Sequence, residues 1–270
     1  DSISVYPTIH VEDKHKQTIE KYTYDLAKAL GVIGLINIQF IIYNDEVYVI
    51  EVNPRSSRTI PYISKVTGVP IIDLATKVMM GQKLKDLGYG TGIYKEADYY
   101  AVKMPVFSFE KITDANAALS PEMKSTGEVL GLGKNMQEAL FKGLVSAGYK
   151  VEKETRGGVL ISVNHRDQPE IVNIARKLDE MGYKLYATDG TAREISRLGT
   201  DVEIVGKLGK DNRVFQLLEN GRIDYVILTG STEPIYIRDF IHLNHRCVQL
   251  GIPCLTSLDT ANALTDILAS

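Results

Sequence analysis

One short stretch of the sequence carries side chains suited to phosphoryl-transfer chemistry. Gln39 lies in a run of β-branched and aromatic residues, and Glu51 and Asn53 lie at the end of a second such run. Three side-chain oxygens of this kind suit a hard cation such as Mg²⁺, which keeps water and phosphate oxygens as its other ligands. Arg55 and Arg58 follow directly, and guanidinium groups neutralise charge on phosphate oxygens. The stretch therefore predicts a metal and phosphate site, the alternative being a surface ion-pair cluster.

A β-hairpin must bring these side chains together. Two runs rich in β-branched and aromatic residues, 33–43 and 47–52, are separated by an Asn-Asp pair, which predicts two antiparallel strands joined by a tight turn. The length of the turn decides whether Gln39 and Glu51 share a face, because a slip of one residue moves every side chain of a strand to the other face. A two-residue turn would separate them. We therefore expect a three-residue turn, 44–46, that sets Gln39 opposite Glu51.

Helical patterns flank the predicted hairpin. Apolar residues recur at helical spacing in 13–30, and Gly31 follows as a stop signal. Further helices are predicted for 71–80 and 136–147. Glycines interrupt the pattern through much of 81–150, so this stretch is assigned to a linking module. The first domain is placed at 1–150.

The last third of the sequence alternates short apolar strands with amphipathic helices, a pattern typical of a doubly wound parallel sheet. We predict five strands, at 158–163, 183–188, 202–205, 224–229 and 253–257. Helices are predicted between and after them, at 169–181, 191–198, 212–220, 235–250 and 260–268. The fold class is therefore α/β, with a five-stranded parallel sheet in a second domain at 151–270.

Polar residues follow the strands of this second domain. Ligands of an open parallel sheet bind beyond the carboxyl ends of the strands, where helix N-termini present free N–H groups. Arg166 is a further candidate to face an anion. The residues that we expect to gather at this edge are Ser162, Thr188, Asp189, Gly190, Thr191, Lys207, Thr229 and Ser231. The alternative is that each loop is an ordinary turn or helix cap.

Composition narrows the classes of function. The formal net charge is −3, from 31 Lys and Arg against 34 Asp and Glu, so no broad basic field favours nucleic acid or an anionic membrane. Cys247 and Cys254 are the only cysteines, and two thiols make no disulfide framework in a chain of this length. No apolar run is long enough to span a bilayer. We expect a protein of the reducing cytoplasm and, because the chain opens at Asp1 without an initiator Met, a fragment.

Several long motifs resemble the large chains of carbamoyl phosphate synthetases. Residues 50–59, IEVNPRSSRT, preceded by NIQF at 37–40, resemble the signature that closes the ATP-grasp fold in that family. The later runs, VTGVP at 66–70 and SPEMKSTGEV at 120–129, resemble the synthetase rather than biotin carboxylase. On this resemblance the first domain is the last part of an ATP-grasp domain.

The resemblance implies roles for the hairpin residues. Gln39, Glu51 and Asn53 carry over as ligands of the Mg²⁺ or Mn²⁺ bound to ATP, and Arg55 and Arg58 as contacts to the phosphates or to carbamate. The implied reaction is phosphorylation of carbamate by ATP to carbamoyl phosphate, for pyrimidine and arginine biosynthesis. The implied partner is a glutaminase small subunit, with an oligomer of that heterodimer left open. Other parts of such a site lie upstream in the family, so we expect no turnover by the fragment alone.

From residue 157 onward the sequence is similar to the methylglyoxal-synthase-like allosteric domain of the same family. Thr188, Gly190, Thr191 and Lys207 fall on the phosphate-binding positions of that domain. The implied effector is a nucleoside monophosphate such as UMP or IMP, or a phosphorylated ribose such as PRPP.

The chain departs from the pattern of this allosteric domain at several positions. Asp189 stands in place of a histidine, Gln168 in place of a lysine, and Leu228 and Gly230 in place of an asparagine and a threonine. Ala101 stands where an acidic residue would hold ornithine, so we do not expect activation by ornithine. These differences leave the identity of the effector open.

Two other functions of the second domain are left open by the sequence. A lyase of the methylglyoxal synthase type would need an aspartate as general base beside the phosphate, and Asp189 is the candidate. A pure interaction module would bind no phosphate ligand.

Overall fold

The computed structural model describes residues 2–107, 123–151, 156–206, 212–230 and 234–269. Contacts divide the chain into two compact units, of which one is Ser4–Lys103 and the other joins Asp1–Ile3 to Met104–Ser270. We call the first the hairpin unit and the second the sheet unit. The domain boundary between 150 and 151 was drawn from sequence patterns and stays a prediction.

The hairpin unit contains short strands and helices. Strand β4, Tyr100–Val106, begins in this unit and pairs antiparallel with β1. Helices α1 and α3 and the two hairpin strands agree with the sequence prediction to within a few residues, whereas α2 and β4 were not predicted. The elements before β4 are β1 Ser4–Tyr6, α1 Asp13–Ala29, β2 Asn37–Tyr43, β3 Glu46–Asn53, α2 Thr59–Thr67, α3 Ile71–Met79 and a 3-10 helix at Leu84–Leu87.

Helix α2 is anchored by tyrosine hydroxyl groups. Tyr62, on α2, is buried and donates to the carbonyl of Ala101 at 3.1 Å. Tyr99 donates to the carbonyl of Val66, near the end of α2. Burial raises the pKa of Tyr62 to about 12, because a phenolate would lose its hydration there. The hydroxyl therefore stays a donor at neutral pH and fixes the helix that follows the predicted metal site.

The hairpin turn is shorter than predicted. Tyr43 pairs with Glu46, so the loop consists of Asn44 and Asp45 alone. Both have positive φ, 48° and 67°, which is the backbone of a tight two-residue hairpin turn and a conformation that Asn and Asp tolerate. The prediction of a three-residue turn was wrong.

A β-bulge restores the pairing that the predicted turn was meant to produce. The register shifts between Gln39 and Phe40, so that Phe40 pairs with Val49 while Gln39 pairs with Glu51. Ile50 is the extra residue on β3. A bulge of this kind places two residues of one strand opposite one of its partner. Gln39 therefore lies opposite Glu51, as predicted, although for a different reason.

The sheet unit contains a five-stranded parallel sheet in the order β10-β9-β6-β7-β8. All five predicted strands and all five predicted helices of this region are present with small shifts at their ends. The elements are β5 Gly127–Gly133, α4 Met136–Ser146, β6 Gly158–Ser162, α5 Gln168–Glu180, β7 Lys184–Thr188, α6 Asp189–Ser196, β8 Glu203–Val205, α7 Arg213–Glu219, β9 Ile223–Leu228, α8 Pro234–Leu250, β10 Cys254–Leu255 and α9 Leu258–Ala269.

The direction in which the chain builds this sheet reverses at β6. Strands β7 and β8 follow on one side of β6, and β9 and β10 follow on the other. Such a reversal makes the sheet doubly wound and opens a crevice beyond the carboxyl ends of the two strands at which it occurs. The predicted α/β fold class is confirmed, and β6 and β9 mark the switch point.

Apolar side chains on both faces bury the central strand. Val159, Leu160 and Ile161 of β6 are at most 1% exposed. Ile171 and Ile174 of α5 are buried as well. Such packing gives the strand ends a rigid support. Among the described helices, none combines the length and apolarity that crossing a bilayer requires.

Candidate functional site

The hairpin places four polar side chains on one face. Gln39 is opposite Glu51, and Asn37 is opposite Asn53; directly opposite residues of an antiparallel pair point to the same side. The amide of Asn53 donates a short hydrogen bond to Oε1 of Glu51. The structure thus brings the three predicted metal ligands together. Asn37 was not among the predicted ligands, and its pairing with Asn53 could not be predicted without the strand register.

The donor chemistry of this face fits a hard cation. Glu51 contributes a carboxylate, and Gln39 and Asn53 contribute amide oxygens, which are the ligand types of Mg²⁺ and its relatives. The amide nitrogen of Asn53 donates to Glu51, and its amide oxygen is of the ligand type that such cations bind. Within the described ranges there is no cluster of three or more His, Cys, Asp or Glu residues, so a site here rests on the mixed carboxylate and amide set.

The two predicted arginines follow this face at once. The backbone N–H of Arg55 donates to the carbonyl of Asn53 at 2.8 Å, which turns the chain tightly after β3. Nη1 of Arg55 donates to the carbonyl of Ser56 at 2.9 Å. Arg58 is the N-cap residue of α2, and both arginines are exposed. Two cationic groups therefore stand within a few residues of the carboxylate.

The turn of the hairpin is held to α1 by charge. Lys14 lies 2.6 Å from Oδ1 of Asp45, and Nε2 of His15 lies 3.0 Å from the same oxygen. The hydrogen bond from Lys14 lowers the pKa of Asp45 below its ordinary value, and the hydrogen bond from His15 has a smaller effect in the same direction. The same contact raises the pKa of Lys14. These contacts hold the turn of the hairpin against α1. The polar face lies at the other end of the two strands.

Hydroxyl groups from two strands, β6 and β7, and from one helix, α6, meet at the carboxyl edge of the parallel sheet. Ser162 and Thr188 share a hydrogen bond at 3.2 Å, and the hydroxyl of Thr188 donates to that of Thr191 at 3.5 Å. The backbone N–H of Val163 donates to Oγ1 of Thr191 at 3.2 Å. Thr191 is 1% exposed, so this network fixes the ends of β6 and β7 against the start of α6.

The switch point adds contacts between β6 and β9. The backbone N–H of Asn164 donates to Oγ1 of Thr229 at 2.9 Å, and its side-chain amide donates to the carbonyl of Gly230 at 3.1 Å. The N–H of Thr229 donates to the carbonyl of Ser162 at 3.2 Å. The predicted residues Ser162, Thr188, Thr191 and Thr229 therefore lie at one mouth.

The first turn of α6 completes this edge. Asp189 and Gly190 open the helix, and the carboxylate of Asp189 lies 2.6 Å from the guanidinium group of Arg193. Both side chains are exposed. The ion pair offsets the negative charge beside the free N–H groups of the helix start, where the helix dipole favours an anion. It also engages the carboxylate that a lyase would need as its base.

Two predicted residues lie outside the described part of the chain, and three further residues stand at the same edge. Lys207 and Ser231 belong to segments that the structure does not describe. Asn164, His165 and Gln168 stand at the same edge but were not among the predicted binding residues. The signal that would have found them is their position directly after β6, the central strand of the sheet.

Comparison with known proteins gives matches to both parts of the chain. Residues 1–87 match the family model of the carbamoyl-phosphate synthase L chain, ATP binding domain, and residues 170–256 match that of the MGS-like domain. Over 265 residues, 98% of the chain, the sequence is 51% identical to the carbamoyl phosphate synthase large chain of Lachnoclostridium phytofermentans. The chain spans about a quarter of the length of that relative.

Proposed function

The chain is related over nearly its whole length to the carbamoyl phosphate synthase large chain, and from this relationship we propose that it is part of an ATP-dependent ligase that makes carbamoyl phosphate. The hairpin unit contributes metal and phosphate contacts to the ligase site, and the sheet unit binds a regulatory phosphate ester. The observation that carries the proposal is the pairing of Gln39 with Glu51 directly before two arginines.

The polar face of the hairpin holds the divalent cation of ATP. Gln39, Glu51 and Asn53 bind Mg²⁺ or Mn²⁺ through one carboxylate and two amide oxygens. A set with a single charge leaves coordination positions for water and for phosphate oxygens, as Mg²⁺ prefers. The bound cation supplies charge neutralisation on the phosphates of ATP.

The arginines act on the phosphoryl group that is transferred. A carbamate oxygen attacks the γ-phosphorus of ATP, a new P–O bond forms, and ADP leaves with the electrons of the broken bond. Arg55 and Arg58 orient carbamate or the phosphate oxygens and stabilise the negative charge of the transition state. Planar guanidinium groups suit this task because they bind oxyanions through two N–H groups at once.

The carboxyl edge of the parallel sheet binds the effector. Ser162, Thr188, Thr191 and Thr229 gather hydroxyl groups at the mouth, beside the free N–H groups of α6. Donors of this kind suit a phosphate ester. UMP, IMP and PRPP are the candidate effectors, and binding there makes the enzyme allosteric.

Other parts of the enzyme lie outside this quarter of the large chain. The groups that hold adenine belong to the remaining large chain, and a glutaminase small subunit supplies ammonia. The complete enzyme acts in the cytoplasm, in pyrimidine and arginine biosynthesis. Since the chain holds only part of the ATP site, it does not turn over alone.

A chimera tests the catalytic half of the proposal. The matching quarter of the Lachnoclostridium phytofermentans large chain is replaced by this chain, and the chimera is assembled with the small subunit of that enzyme. ATP-dependent formation of carbamoyl phosphate from bicarbonate and glutamine is then measured. The expected result is synthesis within about tenfold of the unmodified enzyme; a folded, assembled chimera with no synthesis contradicts the proposal.

Calorimetric titration of the 270-residue chain tests the regulatory half. UMP, IMP and PRPP are titrated separately, and dihydroxyacetone phosphate is added in a parallel assay of methylglyoxal release. Saturable binding of at least one effector without methylglyoxal release is expected. A chain that binds none of the three refutes an effector site, and release of methylglyoxal would make the sheet unit a lyase.

A further inference from the structure

The two cysteines of the sequence lie against each other in the sheet unit. Cys247 is in the last turn of α8, and Cys254 begins strand β10. Cys247 belongs to an apolar cluster with Val226, Leu228 and Leu243, and Cys254 packs against the same cluster. The thiol of Cys254 hydrogen-bonds to that of Cys247. A sequence of 270 residues with just two thiols therefore brings them into direct contact.

The chain between the two cysteines is a tight turn that sets their separation. The backbone N–H of Ile252 donates to the carbonyl of Cys247 at 2.9 Å. Gly251 has a φ of 65°, the left-handed conformation that commonly closes a helix. Strand β10 then pairs with β9 from Cys254 onward. Backbone hydrogen bonds thus hold the chain at both cysteines, so the contact between the thiols is built into the fold.

The two thiols differ in their access to solvent. Cys247 is 0% exposed, whereas Cys254 is only partly buried. Thiol–disulfide exchange begins when a thiolate attacks the sulfur of an external disulfide, and access decides which thiol reacts first. The contact with Cys247, together with burial, raises the pKa of Cys254. Little thiolate is therefore present at neutral pH, and exchange at Cys254 is slow.

We infer that Cys247 and Cys254 form a reversible disulfide, with Cys254 as the attacking thiol and Cys247 as the resolving thiol. Cys254 loses its proton and attacks one sulfur of oxidised glutathione, and a glutathione thiolate leaves. Cys247 then loses its proton and attacks the sulfur of Cys254 in the mixed disulfide, and the second glutathione thiolate leaves. Two protein thiols are oxidised, and one glutathione disulfide is reduced to two thiols. The bridge does not depend on the proposed ligase site or effector site.

The bridge would fasten the weakest strand of the parallel sheet. Strand β10 has two residues and lies at an edge of the sheet, paired with β9. A short edge strand is held by few hydrogen bonds and belongs to the parts of a fold that open first. A covalent link to α8 limits this opening and also restricts the unfolded chain. Oxidation should therefore stabilise the sheet unit.

Mass spectrometry of the folded 270-residue chain tests the bridge. No Lys or Arg follows Arg246, so trypsin leaves both cysteines in one peptide, 247–270. The chain is equilibrated with about a tenfold excess of oxidised over reduced glutathione. We expect this peptide to lose two hydrogen atoms and to resist alkylation. A peptide with both thiols still reduced overturns the inference, as does a bridge that joins two chains.

Single replacements test the order of the two thiols. Cys247→Ser should retain glutathione on Cys254 as a mixed disulfide, because no second thiol follows. Cys254→Ser should leave Cys247 reduced, with modification at least about tenfold slower than that of Cys254. Equal rates of modification in the two folded variants would refute the assigned order. Circular dichroism checks the folding, and Cys247→Ala replaces Cys247→Ser if the serine variant is misfolded.

A displaced thiol is the matched control. Cys247→Ser combined with Val248→Cys moves the helix thiol by about 100° around α8 and should give no internal bridge. Oxidation should raise the midpoint of thermal unfolding of the unmodified chain by about 4 °C and leave that of the control unchanged. Equal bridging in the control would show that the native contact is not required and would overturn the inference. A bridge that leaves the midpoint unmoved would overturn its stabilising effect.

Discussion

Among single residues, Asp45 shows how charge fixes the hairpin that carries the polar face. Its carboxylate accepts from Lys14 and from His15 on α1, so a residue of the turn is tied to a helix thirty positions earlier in the chain. Contacts between exposed charges stabilise a fold only slightly. Their effect here is to set the position of the turn relative to α1.

Replacement of Asp45 by asparagine should lower stability in a pH-dependent way. The folded-state pKa of Asp45 is lowered from 3.8, so its contribution is present above that ordinary value and is lost as the pH falls through the folded-state pKa. Urea unfolding of the chain and of Asp45→Asn should differ at pH 7 and converge at the acid end. A difference that stays constant below the folded-state pKa contradicts the ion pair.

The residues that meet at the carboxyl edge of the parallel sheet were largely predictable. Parallel strands end at one edge, so Ser162, Thr188 and Thr229 had to approach each other once the strands were recognised. The contacts of Asn164 to Thr229 and Gly230 were not predictable, because they depend on the turn that follows β6. A pattern of residue types places a side chain at an edge but does not say which of its atoms faces the ligand.

At the scale of elements, the hairpin register is set by a bulge rather than by the turn. Its strands pair regularly from the turn as far as Phe40 and Val49. The next residue of β3, Ile50, has no partner on β2. Without the bulge Glu51 would fall opposite Ile38, on the apolar face. The bulge therefore decides that the only carboxylate of the proposed metal site faces Gln39.

Paired cysteines test this register. Gln39→Cys combined with Glu51→Cys should form a disulfide under mild oxidation, because directly opposite residues bring their Cβ atoms close to disulfide distance. The control, Gln39→Cys with Val52→Cys, puts the two thiols on opposite faces and should stay reduced. Mass spectrometry of the oxidised chains measures the outcome; cross-linking of the control instead would show that the strands are shifted.

The bulge also explains why the turn was mispredicted. The sequence from 47 to 52 has β-branched or aromatic residues at every position except Glu51, and nothing in such a run marks an extra residue. A register was therefore assumed to follow from the turn alone. The Asn-Asp pair, which favours positive φ at both positions, was the better guide to the turn.

Close packing of β5 against α4 is a second feature of the elements. A Cβ added to Gly131 would overlap the carbonyl of Ala139 and the backbone of Gly143 on α4. Gly131→Ala should therefore lower the free energy of unfolding by about 3 kcal/mol, since neither partner is a movable side chain. Gly127→Ala, where the nearest atom is Cβ of Val106 at 3.9 Å, is the control and should cost far less. Thermal unfolding compares the two, and equal stabilities would contradict the packing.

Glycines are also the reason that strand β5 was not predicted from the sequence. Gly127, Gly131 and Gly133 are residue types typical of loops, although Gly131 and Gly133 are what allows the strand to lie against the backbone of α4 and the turn before it. Strand β4 was missed for a related reason, because Pro105 near its end argues against a central strand. Helix α2 was missed because β-branched residues and Pro61 weaken its helical pattern.

At the scale of the whole chain, the proposed effector site should stabilise the sheet unit selectively. A ligand that binds only the folded state adds RT ln(1 + [L]/Kd), which is about 2.7 kcal/mol at 100 times Kd. UMP at that concentration should raise the midpoint of the thermal transition that reports the sheet unit. Uridine, which lacks the phosphate, is the control and should leave the midpoint unchanged. A midpoint that UMP does not move contradicts the site.

The proposed role of the hairpin face in phosphoryl transfer depends on the charge of Glu51. In the chimeric enzyme, Glu51→Gln keeps the shape of the side chain and removes its charge, while Glu46→Gln makes the same change at the exposed start of the same strand. The rate of carbamoyl phosphate synthesis at saturating ATP and Mg²⁺ is measured for both. We predict a loss of about 100-fold or more for Glu51→Gln and less than about threefold for Glu46→Gln. Equal rates for the two variants would contradict this role of Glu51.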